Sequence, residues 1–281
     1  MKIGILTDST ANLHQVPFTH PAVKVIDFSV IIDEVPYTVQ TLSQEDFYKK
    51  MAAASKLPST SQGSVMDVLN ILEAYKSEGY TDVIVLTISK ALSGSYQNIY
   101  MAKNEIEGLH VHLLDSKATE IILGSAVMYA AQLVDQGLNV EQITAKMTPY
   151  LEQDGAFFYV DSLKNLVKGG RISGASGMIG EALKIKPILE LDEAGLIELK
   201  EKNRTKSKSL ERLVALYKDK VQDRAHDVFF LSSNNPDEVR HFSETLSLGP
   251  NVHQIIYSPL TPIVAAHTGP GMIGIGWRIL T

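Results

Sequence analysis

The stretch AAHTGPGMIGIGW, residues 265–277, places a histidine and a threonine before closely spaced glycines. The glycines repeat the G-x-G-x-x-G spacing of a dinucleotide-binding loop, which also needs a following helix and an acidic residue about 20 positions further on. Seven residues follow Gly274, and Pro270 removes one of the backbone N–H donors that such a loop offers. The pattern therefore argues against a dinucleotide site. The stretch still offers a histidine and a threonine, His267 and Thr268, before a flexible turn.

Two hydroxyl-rich segments precede predicted helices in the first half of the chain, PSTSQGS at residues 58–64 and SKALSGSYQN at residues 89–98. Serine and threonine at such positions cap helices, and together with backbone N–H groups they also bind anions. The local pattern leaves both interpretations open. The candidate anion donors are Thr60, Ser61, Ser93 and Gly94. Asp8 and Asp115 each end a predicted strand, and we expect each carboxylate either to have a structural role or to support a neighbouring binding residue.

Two arginines lie in segments of the second half where a guanidinium could hold a carboxylate or a phosphate. Arg171 belongs to KGGRISG and Arg204 to NRTKSKS. An arginine near a turn is commonly just solvated, and a lone histidine is commonly structural, so the local patterns leave those simpler roles open. A hydrolase that uses Ser93 and His267 is a further alternative, although the G-x-S-x-G nucleophile pattern is absent around Ser93.

Composition narrows the classes of protein. The chain has 281 residues, a formal net charge of -6 and no cysteine. This charge argues against an extended nucleic-acid surface, and the lack of cysteine excludes disulfides and thiolate catalysis and fits a reducing compartment. The P-loop and H-E-x-x-H signatures are absent, so we expect no metal or other cofactor. The longest apolar run, residues 121–134, is shorter than the about 20 residues of a membrane span. With no signal-peptide pattern at the N-terminus, we predict a cytoplasmic protein without an integral membrane segment.

Strand and helix patterns alternate through the first half. KIGILTD (residues 2–8), VKVIDFSVIID (residues 23–33) and DVIVLTIS (residues 82–89) are typical of strands. Apolar residues at helical spacing predict a helix over residues 64–77. Strands that are separated by helices of this length predict a parallel sheet with crossover connections. The polar clusters follow these strands, where such a sheet forms a ligand crevice.

The second half shows a different pattern. KPILELD and LIELKEK flank the turn DEAG and predict a hairpin, and SLKNLVKGGRISGASGMIGEALK predicts two short helices around a glycine-rich turn. We therefore predict a two-domain α/β fold. Residues 1–155 form an N-terminal, Rossmann-like domain with a doubly wound, mostly parallel sheet, and residues 156–281 form a C-terminal α/β domain with a mixed or antiparallel sheet. The ligand is expected in the crevice between the domains.

Several segments, taken in order, resemble the DegV family over essentially the whole chain. They are ILTDSTANL, TSQGS, LSGSYQN, LVKGGRIS, LKIKPILELDEAG with RT following, and AHTGPGMIG. Members of this family are similar to the fatty-acid-binding subunit of bacterial fatty acid kinase. The resemblance implies a two-domain α/β protein that holds one long-chain fatty acid, with the carboxylate in the interdomain crevice and the acyl tail in the core.

The resemblance also implies roles for the candidate residues. The carboxylate-binding set would be Thr60, Ser61, Ser93, Gly94, His267, Thr268 and Gly269. Arg171 and Arg204 would lie on the rim, facing the kinase partner or the developing acyl phosphate. The chain departs from the common family pattern at Asn12, Gly63 and Ser95, and we expect Gly63 to loosen the loop that positions Thr60.

The expected function is that of a carrier, not an enzyme. The protein would present its fatty acid to a separate ATP-dependent fatty acid kinase and then deliver the acyl phosphate to phospholipid synthesis, where an acyltransferase is a further potential partner. One alternative is a hydrolase or other enzyme that acts on a small anionic substrate in the same crevice, and another is a lipid-responsive regulatory module. Five apolar residues could line the tail pocket: Ile121, Ile122, Met128, Phe157 and Met272. For each of them, an ordinary core role is the commoner one.

Overall fold

The computed structural model describes residues 2–172 and 185–280. Its strands are β1 (Ile3–Asp8), β2 (Val23–Ile26), β3 (Ser29–Ile32), β4 (Val35–Tyr37), β5 (Ser59–Ser61), β6 (Asp82–Thr87), β7 (His110–Asp115), β8 (Asp154–Tyr159), β9 (Lys186–Leu191), β10 (Ile197–Asn203), β11 (His226–Ser232), β12 (Val252–Pro259) and β13 (Ile273–Ile279). Its α-helices are α1 (Gln44–Ala53), α2 (Val65–Ser77), α3 (Ser95–Glu105), α4 (Glu120–Asp135), α5 (Val140–Leu151), α6 (Lys164–Gly169), α7 (Lys206–Val221), α8 (Pro236–Thr245) and α9 (Pro262–Thr268). The second of the two short helices predicted around the glycine-rich turn falls on residues 173–184, outside the described residues.

The chain separates into two compact units, and each unit contains two stretches of sequence. The first unit consists of residues 1–29 and 61–152, and the second consists of residues 30–60 and 153–281. The sequence predicts a single boundary between residues 155 and 156, so residues 30–60 differ from that expectation. Helix α1 ties this segment to the second unit, where Gln44 Nε2 donates to the Leu260 carbonyl at 2.7 Å. Because Gln44 and Leu260 are far apart in the sequence, no local sequence pattern predicts their contact.

The first unit is built on a four-stranded parallel sheet in the order β2-β1-β6-β7. Strands β1 and β6 are buried along their whole length, as strands covered on both faces generally are. They are adjacent at the centre, and the chain runs outward from them to β2 and to β7. The sheet is therefore doubly wound with its switch point between β1 and β6, which confirms the predicted fold class.

The segment VKVIDFSVIID forms two strands, so the prediction of one strand was wrong. Strand β2 ends at Ile26, strand β3 begins at Ser29, and the two belong to different sheets. At the break, the Phe28 backbone N–H donates to Ser9 Oγ at 3.0 Å. A side chain thus satisfies a donor that a continuous strand would pair within its sheet. Apolar residues on both sides of the break hide it in the sequence.

The second unit contains a six-stranded mixed sheet in the order β10-β9-β8-β13-β11-β12. Strands β11 and β12 are parallel, and the other neighbours are antiparallel. The predicted hairpin is confirmed as β9 and β10, and Gly195 in its turn has φ +77°. The core on the helix-covered face is rich in aromatic side chains from the sheet and from α7 and α8, among them Phe157, Tyr159, Tyr217, Phe230, Phe242 and Trp277.

Two short elements carry Thr60 and His267, which both belong to the second unit. Strand β5, which belongs to a small sheet in the order β4-β3-β5, contains Thr60. Helix α9 contains His267 in its last turn. Pro262 at the first turn and Gly269 at the C-cap set the limits of α9, since proline suits a helix start and glycine suits a residue with φ +75°.

Candidate functional site

A hydrogen bond joins Thr60 to His267 in the second unit. Thr60 Oγ1 and His267 Nε2 are 2.8 Å apart, and both side chains are half-buried. The residues are far apart in the sequence, and the fold brings them together through β5 and α9. The structure therefore places two of the predicted site residues in one cluster.

The imidazole of His267 lies against the backbone at the end of α6. A Cβ atom on Gly169 would come within 2.5 Å of His267 Nδ1, so a side chain at position 169 would displace the ring. Burial, and secondarily the neighbouring Arg171 guanidinium, lowers the pKa of His267 to about 4. The ring is therefore neutral at pH 7.

A neutral imidazole carries one N–H, and its position decides what Thr60 can offer a ligand. When Nε2 carries the proton, the ring donates to Thr60 Oγ1. The hydroxyl hydrogen of Thr60 is then available to a ligand oxygen. His267 in this tautomer orients Thr60 as a donor without adding a charge.

A cavity of about 350 Å³ adjoins the Thr60–His267 pair, and the described residues that line it all belong to the second unit. Among the described residues, three cationic side chains line it: Lys56, Lys168 and Arg171. Arg171 Nη1 donates to the Gly169 carbonyl at 2.5 Å, and Lys56 also pairs with Glu34 at 3.1 Å. Thr60 and His267 line the same cavity as these cations, and this combination suits an anionic group, because hydrogen bonds to charged groups are stronger than those between neutral groups. Arg204 is exposed just before α7 and is not part of this lining.

The other two candidates next to His267 have hydrogen-bond partners within the chain. The buried Thr268 hydroxyl lies 3.5 Å from the Val264 carbonyl and 3.4 Å from the Gly269 carbonyl, both as donor. The Gly269 N–H donates to the Ala265 carbonyl at 2.8 Å and closes α9. A ligand would have to compete for these groups, so their predicted role in carboxylate binding stays a prediction.

The remaining predicted donors, Ser61, Ser93 and Gly94, lie in the first unit. Ser93 Oγ accepts from the Ser95 backbone N–H at 3.2 Å, and Gly94 is the N-cap residue of α3. A Cβ atom on Gly94 would lie 2.8 Å from Gln62 Nε2, so this glycine permits close contact with the TSQGS loop. Ser61 is exposed, and its hydroxyl donates to the Gln62 carbonyl at 3.3 Å. The part that Ser61, Ser93 and Gly94 play in ligand binding stays a prediction.

Gly63 is held firmly within the first unit. Its carbonyl accepts from Asn98 Nδ2 at 2.8 Å, and a Cβ atom at this position would lie 2.4 Å from Ile26 Cγ2. The close approach of Ile26 gives a packing reason for glycine here. The expected looseness of the loop has no counterpart in these contacts.

Asp8 has the structural role that its position at a strand end predicts. Its carboxylate accepts from the backbone N–H and the hydroxyl of Thr10, at 2.9 and 2.6 Å, and from the Ile88 N–H at 2.8 Å. Burial raises the pKa of Asp8, and these hydrogen bonds oppose the shift. The carboxylate thus ties the end of β1 to the residue that follows β6.

Several residues that line the cavity were not predicted as site residues, including Lys56, Asn165, Lys168 and Gly169. Asn165 Nδ2 donates to the Ala266 carbonyl at 3.2 Å and links α6 to α9. The paired glycines of LVKGGR were the available signal, because they allow a ring to approach the backbone. The lysines resemble any exposed lysine in sequence.

Within residues 2–172 and 185–280, no three His, Cys, Asp or Glu side chains form a group that could hold a metal ion. In the same part of the chain, no helix has the length and apolar character needed to cross a bilayer. The glycines that follow α9 lead into strand β13 and not into a helix. This context agrees with the sequence-based argument against a dinucleotide loop.

Comparisons with known proteins identify the family. The family model described as "Uncharacterised protein, DegV family" matches residues 2–279. A DegV domain-containing protein of Staphylococcus aureus is 35% identical over 286 residues, covering 99% of this chain and 97% of the relative. The chain belongs to the DegV family.

Solved structures share the fold. A fatty-acid-binding DegV family protein from Streptococcus agalactiae is 32% identical and superposes with a TM-score of 0.93, with all of both chains covered. The Streptococcus pneumoniae Fatty Acid Kinase (Fak) B3 protein, solved with linoleic acid, is 23% identical, covers 100% of both chains and has a TM-score of 0.82. The second likeness concerns the fold alone.

Proposed function

We propose that this protein binds a long-chain fatty acid and holds its carboxylate beside Thr60 and His267. The observation that carries the proposal is the 2.8 Å hydrogen bond between a threonine hydroxyl and a neutral imidazole at the edge of a cavity lined by three cations. The fatty acid binding described for the Streptococcus agalactiae relative supports the choice of ligand.

The chemistry of the cavity suits a carboxylate. A carboxylate withdrawn from water is costly unless donors and positive charges replace its hydration. Thr60 supplies a donor that His267 orients, and the Arg171 guanidinium supplies charge. Ser61, Ser93, Gly94, Thr268 and Gly269 are proposed as further donors on the strength of the family resemblance.

The acyl tail supplies most of the binding free energy. Burial contributes roughly 0.8 kcal/mol per CH₂ before ordering costs. A chain of many methylenes therefore outweighs a few hydrogen bonds, and the head-group residues mainly fix orientation.

We also propose that the bound carboxylate is phosphorylated by a partner protein. A separate ATP-dependent kinase holds the nucleotide, and a carboxylate oxygen of the fatty acid attacks the γ-phosphorus. The bond to the bridging oxygen breaks, ADP leaves and an acyl phosphate forms, which then passes to an acyltransferase of phospholipid synthesis. The carrier acts in the cytoplasm and supplies neither a catalytic base nor a cofactor. The exposed Arg204 and the cavity-lining Arg171 support a partner-facing rim.

The test of the carrier proposal is the affinity for oleate of Thr60→Val. Loss of a hydrogen bond to a charged group should weaken binding roughly 10- to 100-fold. Thr245→Val is the matched control, since it removes a hydroxyl that donates to the Phe242 carbonyl at 2.7 Å, away from the cavity. Thr245→Val should bind oleate like the wild type. Wild-type affinity in Thr60→Val would contradict the head-group assignment.

A further inference from the structure

Side-chain hydrogen bonds tie residues 30–60 to the rest of the second unit, and three of them bear on the site. Two of them are Gln44 to Leu260 and Thr60 to His267, described above. The third joins the hydroxyls of Tyr48, on α1, and Ser233, just after β11, at 2.8 Å. The proposed binding site does not use this third bond, although both partners are buried.

Ser233 holds both ends of the turn that follows His267. Its hydroxyl donates to the Gly269 carbonyl at 2.5 Å, and its carbonyl accepts from the Gly271 N–H at 2.7 Å. Both glycines have positive φ, +75° and +83°. The Gly269 N–H is also fixed, because it donates to the last turn of α9. A single buried serine therefore fixes the C-terminal end of α9, the helix that carries His267 in its last turn.

The direction of the hydrogen bonds follows from the partners. A carbonyl oxygen only accepts, so the one hydroxyl hydrogen of Ser233 points to Gly269. Ser233 Oγ must then accept from the Tyr48 hydroxyl. The result is a directed chain from Tyr48 through Ser233 to the Gly269 carbonyl, in which each bond strengthens the next.

We propose that Tyr48 and Ser233 are positioning residues for the Thr60–His267 pair. Tyr48 fixes α1, which leads into the strand that carries Thr60, and Ser233 fixes the end of the helix that carries His267. Their hydrogen bond ties together the two segments whose spacing sets the 2.8 Å contact of the pair. The inference deepens the proposed function and rests on it for its effect on fatty acid binding.

The test compares Tyr48→Phe with Tyr217→Phe. Each variant removes one buried tyrosine hydroxyl that bonds a side chain. The Tyr48 hydroxyl bonds Ser233 Oγ at 2.8 Å, and the Tyr217 hydroxyl bonds His226 Nε2 at 2.5 Å. Both variants should lower the melting temperature by a similar amount. Only Tyr48→Phe should weaken oleate binding, by roughly fivefold. In a Thr60→Val background, Tyr48→Phe should weaken it no further, because the two residues act through one contact.

A second readout needs no lipid. In the ligand-free protein, an NMR titration of His267, assigned with His267→Gln, reports how well the ring is enclosed. Tyr48→Phe should admit water and raise the pKa of His267 by about half a unit or more toward its ordinary value, while Tyr217→Phe leaves it unchanged. The charged groups that line the same cavity, Lys56, Lys168 and Arg171, are the same in both variants.

Identical His267 titrations in Tyr48→Phe and Tyr217→Phe would overturn the inference. Should Tyr48→Phe fold poorly, Ser233→Ala breaks the same chain of hydrogen bonds at its central member. The titration of His267 then tests that variant in the same way. If even the wild type fails to bind oleate, the proposed function fails, while the His267 titration still decides the positioning role.

Discussion

Acid should destabilise the protein through His267. The folded state lowers the pKa of this histidine from 6.5 to about 4, mainly by burial and further through Arg171. The folded protein thus binds the proton less readily than the unfolded chain does. The stabilising contribution is fully present above about pH 6.5 and is lost as the pH falls toward 4.

The size of the effect follows from the two pKa values. At about pH 4.5 the unfolded histidine is almost fully protonated, and the folded one is mostly neutral. The difference in proton binding free energy is on the order of 2.5 kcal/mol. This is a large share of the stability of a typical domain.

The assay is urea unfolding at about pH 7.5 and pH 4.5 for the wild type and His267→Gln. Glutamine cannot take up the proton, and its side-chain amide can still donate to Thr60. Carboxylates that titrate in this range do so in both proteins, so the difference between the two losses isolates the histidine. The wild type should lose about 2.5 kcal/mol more than His267→Gln over this pH interval.

A matched control and a refuting result complete this experiment. His241 lies in the same unit with a side chain that is 83% exposed, so His241→Gln should behave like the wild type. Equal losses of stability in the wild type and His267→Gln would refute the argument. Added oleate should reduce the acid sensitivity of the wild type, because a nearby carboxylate favours the charged imidazole.

Three further predictions concern the core, the turn and the rim. Asp154→Ala leaves the fully buried Arg278 without its carboxylate, so urea unfolding should show a loss of about 3–5 kcal/mol, and a loss below about 1 kcal/mol would contradict the pairing. Gly271→Ala should lower the free energy of unfolding by about 1–3 kcal/mol, because φ is +83° and a Cβ would lie 2.4 Å from a carboxylate oxygen of Asp161. The control Gly249→Ala has open space around it and should leave the stability nearly unchanged. Equal effects of the two substitutions would count against the turn geometry. Arg204→Ala should bind oleate normally and slow acyl phosphate formation with the kinase and ATP, and unchanged turnover would argue against a partner-facing rim.

Local sequence patterns predicted much of the fold. Strands β1 and β6 are continuous apolar runs that end in turn formers, and the β9–β10 hairpin is marked by DEAG. These signals lie within a few residues of one another, so a single sequence reveals them. Where the pattern was ambiguous, as at Phe28, the prediction joined two strands that belong to different sheets.

The candidate site was less accessible to sequence reasoning. Thr60 and His267 could be nominated from their motifs, but their contact depends on residues 30–60 folding with the second unit. Lys56 and Lys168 carry no signal that separates them from solvated lysines. Tyr48 and Ser233 look like ordinary core residues until their hydrogen bonds are traced to the turn after His267.

The most direct test of fatty acid binding is mass spectrometry of the purified full chain. Native spectra give the stoichiometry of any bound molecule, and denaturing spectra of an organic extract give its identity. We predict close to one long-chain fatty acid for each chain, or uptake of added oleate to that level. A protein that is purified empty and also fails to take up oleate or palmitate would contradict the central claim and would favour an enzyme that acts on a small anion.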